Sequence, residues 1–453
     1  MSVRIGTGVI IGASGLAYQH GWAGCAYPLG LGLGTLLTGL FFAHTRHYKF
    51  ITLSEEIACY YGDQRGVTEF CKLSLFLSQL CWLTVQIVGS SRILGVVTGW
   101  GQPICVVLAG CLIALIVIPG GYQTVVYTDF VNAIILLAGF GFLWHAALNG
   151  AGGLAGLRQA APPAYSSFLG YASFGGLKLV SLLLVLVLSD VADPGRRLAI
   201  YGSRTEGGAK WSMVTAGGIV MLFSVVIGIV GMYAYKINPH LASPDEALPW
   251  LIIHVLPSWL AAAVVVSATA AILSCANSNA SAVASFFVRH IYPLATGAYP
   301  RNPVATARRA LLCAIVISTL MALRTSSIVD FVVKFLPVTM SGLAVIILMG
   351  RLWKRANWQG ALAALVITPA ASLAVIFIPA QQQFWGYPAI PAVTAGAIAH
   401  VFVSLLTSPR QRSFGEVAET MNHERQKIEN VAAGAVPVDS PAPVRNRVSV
   451  TVE

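Results

Sequence analysis

Long apolar segments, separated by short polar connections, occupy most of the chain. Their approximate bounds are 3–20, 22–43, 66–97, 101–118, 122–148, 170–190, 209–236, 254–287, 305–323, 327–350, 357–379 and 387–407. Most of them match the roughly 20 apolar residues that a helix needs to cross a bilayer. The run from Leu177 to Leu188 does not alternate at every second position, which excludes a β-barrel. The pattern therefore predicts an all-α, polytopic membrane protein with about twelve transmembrane helices.

The composition supports this prediction. Of the 453 residues, 56% are hydrophobic and only 10% are charged, and the mean hydropathy is +0.74. A soluble domain normally carries about 25% charged residues. The eight cysteines have no metal-ligand spacing, which is typical of buried thiols. No Walker A motif, Ser-His-Asp order or HExxH pattern occurs, so neither an ATP-driven pump nor an enzyme is indicated.

The basic residues predict the orientation. They fall mainly in every second connection, as Arg46, Lys49, Arg65, Arg196, Arg197, Arg204, Lys210, Arg289, Arg301, Arg308, Arg309, Arg351, Lys354 and Arg355. The positive-inside rule then predicts that both termini are cytoplasmic, in the cell (inner) membrane. This distribution also accounts for the net charge of +11 without a nucleic-acid partner.

The predicted orientation relates the two halves of the chain. The first segment enters from the inside and the sixth from the outside, so the five segments of 1–148 and the five of 170–353 form repeats of opposite topology. Such inverted repeats place a solute site near the middle of the membrane. Two further helices, within 357–407, complete a transporter domain over 1–407. For the polar residues 408–453 we predict a cytoplasmic tail, largely disordered, with a short surface helix near its start.

Glycine is unusually frequent in the first segment, with five glycines between Ile5 and Gly21. Each costs up to about 1 kcal/mol relative to alanine in a helix interior. One interpretation is that these glycines allow neighbouring helices to pack closely. The other is an unwound midpoint near Gly12 to Gly15, whose free carbonyl groups could bind a cation. The pattern alone leaves both interpretations open.

Polar residues also interrupt the eighth segment. Ala271, Ser274, Cys275 and Ser278 are spaced so that they share one helix face. Hydroxyl oxygens there, facing carbonyl groups of a broken helix, would form a cage for a small cation. Alternatively, the serines bond back to carbonyl groups of their own helix.

Ionisable groups inside a membrane are functional candidates by default. Asp129 begins the fifth segment and Asp190 ends the sixth, where either could also be an interfacial residue in contact with water. Asp330 and Lys334, four residues apart in the tenth segment, are expected to neutralise each other.

Five motifs, in order along the chain, resemble those of one transporter family. They are Thr52–Glu56 followed by Tyr61–Gly62, Pro119–Asp129 (PGGYQTVVYTD), Ala247–Trp250 followed by Leu256–Leu260, Ala271–Ser281, and Trp353–Ala361 (WKRANWQGA). In this combination the chain resembles the sodium:solute symporter family. The resemblance implies the LeuT-type inverted-repeat fold and the transport of a sugar, amino acid, vitamin or carboxylate.

The resemblance also implies an ion site. The family's sodium ligands correspond to the carbonyl groups of Ile11 and Ser14 and to Ala271, Ser274 and Cys275 of the eighth segment. Asp129 matches an aspartate near the inner exit of the ion.

Three departures from the family pattern stand out. The family usually has threonine or serine at Cys275, and a thiol is a poor ligand for a hard cation. Asn132 occupies a position where glutamine is common. The family also has one more helix before the broken one, whereas Met1 here precedes the break directly.

The function expected from these features is cation-coupled symport of a small solute, with sodium favoured over the proton and no other cofactor. The predicted solute contacts are Gly12, Ala13, Gly15, Gln19, Trp82 and Gln86, together with Ser14. A proton-coupled or ion-independent transporter, or a degenerate membrane sensor, are the alternatives. The expected partners are the solute and the lipid bilayer, and the sequence does not predict an oligomeric state.

Overall fold

The structure is a computed structural model that describes residues 6–48, 50, 52–118, 125–298, 300–408 and 413–421. Side chains are described in these ranges except at 125–133 and 160, so the side chains of Asp129 and Asn132 lie outside the described part. Of the described residues, 87% are helical and none belongs to a strand. The prediction of an all-α protein is confirmed.

Sixteen principal helices are numbered here in chain order. They are α1 (Ala13–His20), α2 (Ala26–Phe42), α3 (Leu53–Tyr61), α4 (Arg65–Thr98), α5 (Gln102–Val117), α6 (Val125–Ala151), α7 (Gly176–Val191), α8 (Pro194–Tyr201), α9 (Glu206–Ile237), α10 (Ala247–Val255), α11 (Ser258–Phe286), α12 (Pro303–Leu323), α13 (Ile328–Leu336), α14 (Gly342–Leu352), α15 (Trp358–Phe377) and α16 (Ala389–Leu406). Short π-helical turns precede α1 (Gly8–Gly12), follow α11 (Phe287–Ile291) and join α13 to α14 (Pro337–Ser341).

Nine helical stretches of the described chain are long and apolar enough to cross a membrane. One of them, Gly8–Tyr48, contains the first two predicted segments, because only a sharp reversal at Gly21 (φ 62°, ψ −125°) separates them. Two other predicted segments correspond to α5 and α7, which have 16 residues each and are shorter than the rest. The helical membrane architecture is therefore confirmed, and the number twelve stays a prediction.

The helix ends form two faces of the molecule. One face, called here the basic end, contains α3, α8 and the turns on either side of them. There His47 contacts Glu206, and Arg351 approaches His44. At the other face, called the opposite end, Tyr18 donates to the carbonyl of Asn238 at 3.0 Å.

At the basic end, a short helix over residues 414–421 lies against α3 and the chain before it. The ring of Phe414 is 4.8 Å from that of Tyr48 and 4.9 Å from that of Tyr60, measured between centroids. Ser413 and Glu416 form a reciprocal capping box at the start of this helix. The division into repeats and the disorder of the tail stay predictions.

Candidate functional site

The first helix is continuous through Gly12 to Gly15, where the sequence allowed either a helix or an unwound midpoint. Gly8–Gly12 forms a π-helical turn that continues directly into α1. The hydroxyl of Ser14 donates to the carbonyls of Ile10 (2.7 Å) and Ile11 (2.9 Å) of its own helix. The interpretation that the backbone is unwound between Gly12 and Gly15 is therefore wrong for this structure, since these residues keep helical geometry.

Close packing explains these glycines instead. A Cβ placed on Gly12 would lie 2.9 Å from the side chain of Ile328, and one on Gly15 would lie 2.9 Å from the carbonyl oxygen of Pro244. Both distances are below normal van der Waals contact. The first helix therefore needs glycine at these positions to reach α13 and the loop before α10.

The start of the first helix meets the polar face of α11. A Cβ on Gly6 would lie 3.3 Å from the Cys275 sulfur. Cys275 is close to the middle of α11, which spans Ser258–Phe286, so this meeting point lies deep between the two ends of the molecule. Ile11 is five residues further along the first helix, about 7.5 Å nearer to the opposite end. The structure thus brings Gly6 next to Cys275.

The polar face of α11 is partly open. Ala271, Ser274 and Cys275 are half-buried, and Ser278, one turn nearer to the basic end, is exposed. Unlike Ser14, the hydroxyl of Ser274 makes no hydrogen bond within the described part of the chain, so it is free to coordinate an ion. This observation disfavours the alternative in which Ser274 bonds back to its own helix.

A hydrogen bond between the first helix and α4 lies beside this point. Thr7 donates its hydroxyl to the Gln86 side-chain oxygen at 2.5 Å, and both residues are buried. Trp82 is also buried, one turn before Gln86 on α4. Thr7 was not among the predicted site residues, and its only sequence signal is a hydroxyl between two glycines.

The other predicted solute contacts lie elsewhere. Ala13 is fully buried within the helix packing. Gln19 is exposed at the opposite end, twelve residues from Thr7 and thus about 18 Å along the helix. The structure therefore divides the predicted set: Gln86 and Trp82 lie on the helix that contacts Thr7, whereas Gln19 is remote.

The loop before α10 is bonded to α4 and to the start of α13 at the opposite end. Asp245 is buried, and its Oδ2 accepts the backbone N–H of Ile328 at 2.9 Å, at the start of α13. Arg92 of α4 pairs with Glu246 at 3.4 Å and donates to the Ser326 carbonyl at 2.9 Å. Burial raises the pKa of Asp245 to about 7, although the Ile328 N–H and Arg92 act in the other direction.

Comparison with known proteins decides the family. The profile of the sodium:solute symporter family matches residues 1–368, which is most of the chain. The chain belongs to the sodium:solute symporter family.

Several members of the family are similar in sequence. The high-affinity choline transporter 1 of Caenorhabditis elegans is 24% identical over 348 residues, covering 72% of this chain and 59% of that protein. The sodium/pantothenate symporter of Escherichia coli K12 is 23% identical over 404 residues, covering 86% and 83%. The chain thus spans less than two thirds of the choline transporters that it matches, with 59% and 54% for those of the worm and of Drosophila melanogaster.

Solved transporters share the fold. A sodium-coupled sialic acid symporter, solved in a substrate-bound outward-open state, superposes with a TM-score of 0.72 at 18% identity, covering 91% of this chain and 89% of that one. A nucleobase-cation-symport-1 transporter in a closed conformation gives 0.53 at 14% identity, covering 92% and 94%. These likenesses confirm the inverted-repeat transporter fold.

Within this symporter fold, a buried ionic cluster joins α3 and α8 at the basic end. Glu56 and Arg197 are both fully buried and 3.4 Å apart. Tyr60 and Tyr201 donate their hydroxyls to Glu56, and burial, together with the nearby Glu56 carboxylate, raises the pKa of both phenols well above the usual value. The Arg197 guanidinium also lies 3.6 Å from the ring centroid of Phe42.

Two carboxylates that the sequence singled out have structural partners. Asp190 is fully buried and accepts hydrogen bonds from Thr35 (2.6 Å) and Arg196 (3.2 Å), so the interpretation of an interfacial residue in water is wrong. Asp330 accepts a hydrogen bond from Tyr387 at 2.7 Å, in place of the expected pair with Lys334.

Proposed function

We propose that this chain carries out cation-coupled symport of a small organic solute by alternating access, with sodium as the coupling ion. The observation that supports it most is the meeting of Gly6 and Cys275 at mid-depth, in a chain of the sodium:solute symporter family. The bond from Thr7 to Gln86 provides neutral hydrogen-bonding groups beside that point.

The ion site in this proposal lies on the polar face of α11. The Ser274 hydroxyl supplies one hard oxygen, and the Gly6 carbonyl, which also accepts the N–H groups of Val9 and Ile10 at 3.0 Å, supplies another. Sodium prefers oxygen to sulfur, so the Cys275 thiol contributes weakly. Ile11, Ser14 and Ala271 stay predicted ligands, as does Asp129 on the exit path of the ion.

The closed opposite end and the exposed Ser278 support alternating access. The contacts of Asp245 and Arg92 block the opposite end, while the face of α11 is open toward the basic end. By the positive-inside rule the basic end is cytoplasmic, in the cell membrane. The structure then corresponds to a state that faces the cytoplasm.

Coupling follows if the ion and the solute both require the same arrangement of the first helix. An ion bound between Gly6 and Ser274 would fix the helix start, and Thr7 would then hold Gln86 in place for the solute. The ion can favour only the state that it binds more tightly, so the coupling free energy equals its differential affinity for the two states.

The substrate class is a small organic solute. The named relatives carry choline, pantothenate and, in a Bacillus subtilis protein of 25% identity, proline. We propose that Trp82 and Gln86 contact the solute, through an aromatic face and an amide. A thermal-shift screen of these three compounds, with and without sodium, is the first measurement, and the expected result is a shift for one of them that requires sodium.

The decisive experiment is uptake by purified protein in proteoliposomes. An inward sodium gradient is expected to drive uptake, and Ser274→Ala is expected to weaken its sodium dependence. Cys275→Thr adds a hard oxygen, so the sodium concentration for half-maximal uptake is expected to fall about tenfold, the effect of roughly 1.4 kcal/mol. Thr269→Ala is the matched control, because that hydroxyl donates to Val265 of its own helix. If neither site variant changes the ion dependence while the control behaves like the wild type, the site assignment is wrong.

Proton coupling is the second candidate, and the observation that favours it is the thiol at Cys275. In that case a pH gradient drives uptake by the wild type without sodium. Absence of uptake under either gradient, for every solute that shifts the melting temperature, would favour a sensor.

A further inference from the structure

A cavity of about 490 Å³ lies between α12 and α13, apart from the proposed ion and solute site. Every residue that lines it belongs to one of these two helices or to the turn between them. Its charged residues are Arg324, Asp330 and Lys334, and its apolar walls include Ile317, Leu320 and Phe335. The cavity is therefore a wedge between two consecutive membrane helices, at the opposite end of the molecule. It is called here the α12–α13 wedge.

The apolar walls of the wedge face outward. Ile317, Leu320 and Phe335 are 46%, 61% and 38% exposed, and all three lie within helices that are apolar and long enough to span a bilayer. In a membrane such side chains contact lipid acyl chains. The wedge therefore opens toward lipid, and not only toward water.

The polar part of the wedge carries more positive than negative charge. The Arg324 backbone N–H bonds to the Met321 carbonyl at 3.1 Å. Neither the Arg324 guanidinium nor the Lys334 ammonium makes a hydrogen bond or ion pair within the described part of the chain. Asp330 is the only carboxylate in the lining, and one of its oxygens accepts the Tyr387 hydroxyl. The wedge thus contains two cations and one carboxylate, and that carboxylate already accepts a hydrogen bond from Tyr387.

Lys334 lies at a depth where an unpaired ammonium is costly. It is six residues beyond Ile328, the first residue of α13, which places its α-carbon about 9 Å below the helix start. A lysine in the hydrocarbon region needs an anion, or must extend toward the interface. The cavity above Lys334 leads to Arg324, so one anionic group of phosphate size could reach both.

We propose that the α12–α13 wedge binds the phosphate headgroup of an anionic phospholipid from the leaflet at the opposite end. Arg324 and Lys334 pair with the phosphate. The Ser327 hydroxyl accepts the Asp330 N–H at 3.5 Å and keeps its own proton to donate to the phosphate. The Thr325 hydroxyl already donates to the Met321 carbonyl at 2.9 Å. The acyl chains lie along Ile317, Leu320 and Phe335. A lipid, rather than a soluble anion, fits because these exposed apolar walls continue directly from the charged part.

Lipid binding to the purified full-length chain tests this proposal. In a neutral detergent, native mass spectrometry and thermal melting are followed while phosphatidylglycerol, phosphatidylcholine or water-soluble glycerol phosphate is added. Phosphatidylglycerol is expected to bind and to raise the melting temperature more than phosphatidylcholine. Glycerol phosphate alone is expected to have no effect.

Two variants locate the site, and a third is the control. Arg324→Gln and Lys334→Gln are each expected to weaken phosphatidylglycerol binding about fivefold, as for the loss of one basic contact to an anionic lipid. Arg158→Gln removes an exposed cation outside the wedge and is expected to change nothing. Because Arg324 is exposed in a turn, its variant keeps the test valid if Lys334→Gln fails to fold.

Two results would overturn the proposal. One is equal phosphatidylglycerol binding by the wild type and both site variants. The other is an equal effect of glycerol phosphate, which would make the wedge a site for soluble anions.

Discussion

Asp245 is a buried carboxyl group that joins a loop to the first turn of α13. The positively charged Arg92 and the negatively charged Glu246 and Asp330 lie near it. Burial has a larger effect than Arg92 and the Ile328 N–H, which favour the carboxylate, and raises the pKa of Asp245 to about 7. An aspartate in water has a pKa near 3.9. When this loop separates from α13 and Asp245 meets water, the group therefore releases its proton at neutral pH.

The sign of the pH effect follows from that difference. Between about pH 4 and pH 7 the closed state binds more protons than the open or unfolded state, so closure is most stable in acid and weakens as the pH rises to 7. We expect the free energy of unfolding to fall over this interval by at most about 1.4 kcal/mol per pH unit, and the melting temperature to fall with it. Asp245→Asn is expected to flatten the dependence. An equal slope in the variant would show that another group is responsible.

Single residues also show what the sequence can predict. The polar face with Ala271, Ser274 and Cys275 was found from its helical spacing, which is a local property. Thr7 and Arg92 were missed because their partners, Gln86 and Glu246, are 79 and 154 residues away along the chain. Such contacts are set by the packing of helices, which hydropathy does not report.

At the scale of helices, the first segment contacts the loop before α10 through a glycine. Gly15→Ala would place a methyl group 2.9 Å from the Pro244 carbonyl oxygen and 3.0 Å from Asp245, so helix and loop must separate. We expect a loss of about 1–3 kcal/mol in stability, as for overpacking elsewhere. The measurement is thermal unfolding in detergent, with Gly141→Ala in α6 as the control, since nothing lies within 4 Å of a Cβ there. If Gly15→Ala leaves the melting temperature unchanged, the first helix and this loop are not packed closely.

The glycine-rich pattern of this segment allowed two interpretations, and the reason is physical. A glycine removes a side chain whether the backbone unwinds or a neighbour approaches. Only the position of the neighbours, here Ile328 and Pro244, distinguishes the two cases.

The cluster between α3 and α8 depends on one buried ion pair. Removing one partner leaves the other charge without compensation, so Arg197→Met is expected to cost about 3–5 kcal/mol. The double variant with Glu56→Gln is expected to recover part of this loss. The free energies of unfolding of the single and double variants give the coupling free energy between Arg197 and Glu56. Arg204→Met, at an exposed position, is the control. Additive losses would contradict a direct interaction.

For the whole molecule, the hydropathy pattern predicted the helical membrane fold, because each apolar segment has to satisfy its own backbone in lipid. The number of transmembrane helices was harder to predict, because of local features of some segments. The reversal at Gly21 keeps 3–20 and 22–43 in one helical stretch, and α5 and α7 are short. Which end is closed depends on contacts between distant loops, and no segment of the sequence contains that information.

Accessibility of α11 tests both the orientation and the open side. In a background without the exposed Cys111 and Cys313, Ser278→Cys is expected to react with a membrane-impermeant maleimide from the cytoplasmic side only. His240→Cys, exposed at the opposite end, is the control and is expected to react from outside only. Saturating sodium and solute are expected to slow the first reaction. Labelling of Ser278→Cys from outside alone would reverse the assigned orientation.

One long helix, α4, connects the two ends of the molecule. α4 has 34 residues, or about 50 Å, and it carries Arg92 at one end and Gln86 near its middle, while its first turn follows α3 after three residues. If α4 moves as one rigid helix, release of Arg92 from Glu246 and the Ser326 carbonyl is expected to shift Gln86 and the start of α4 beside α3 together.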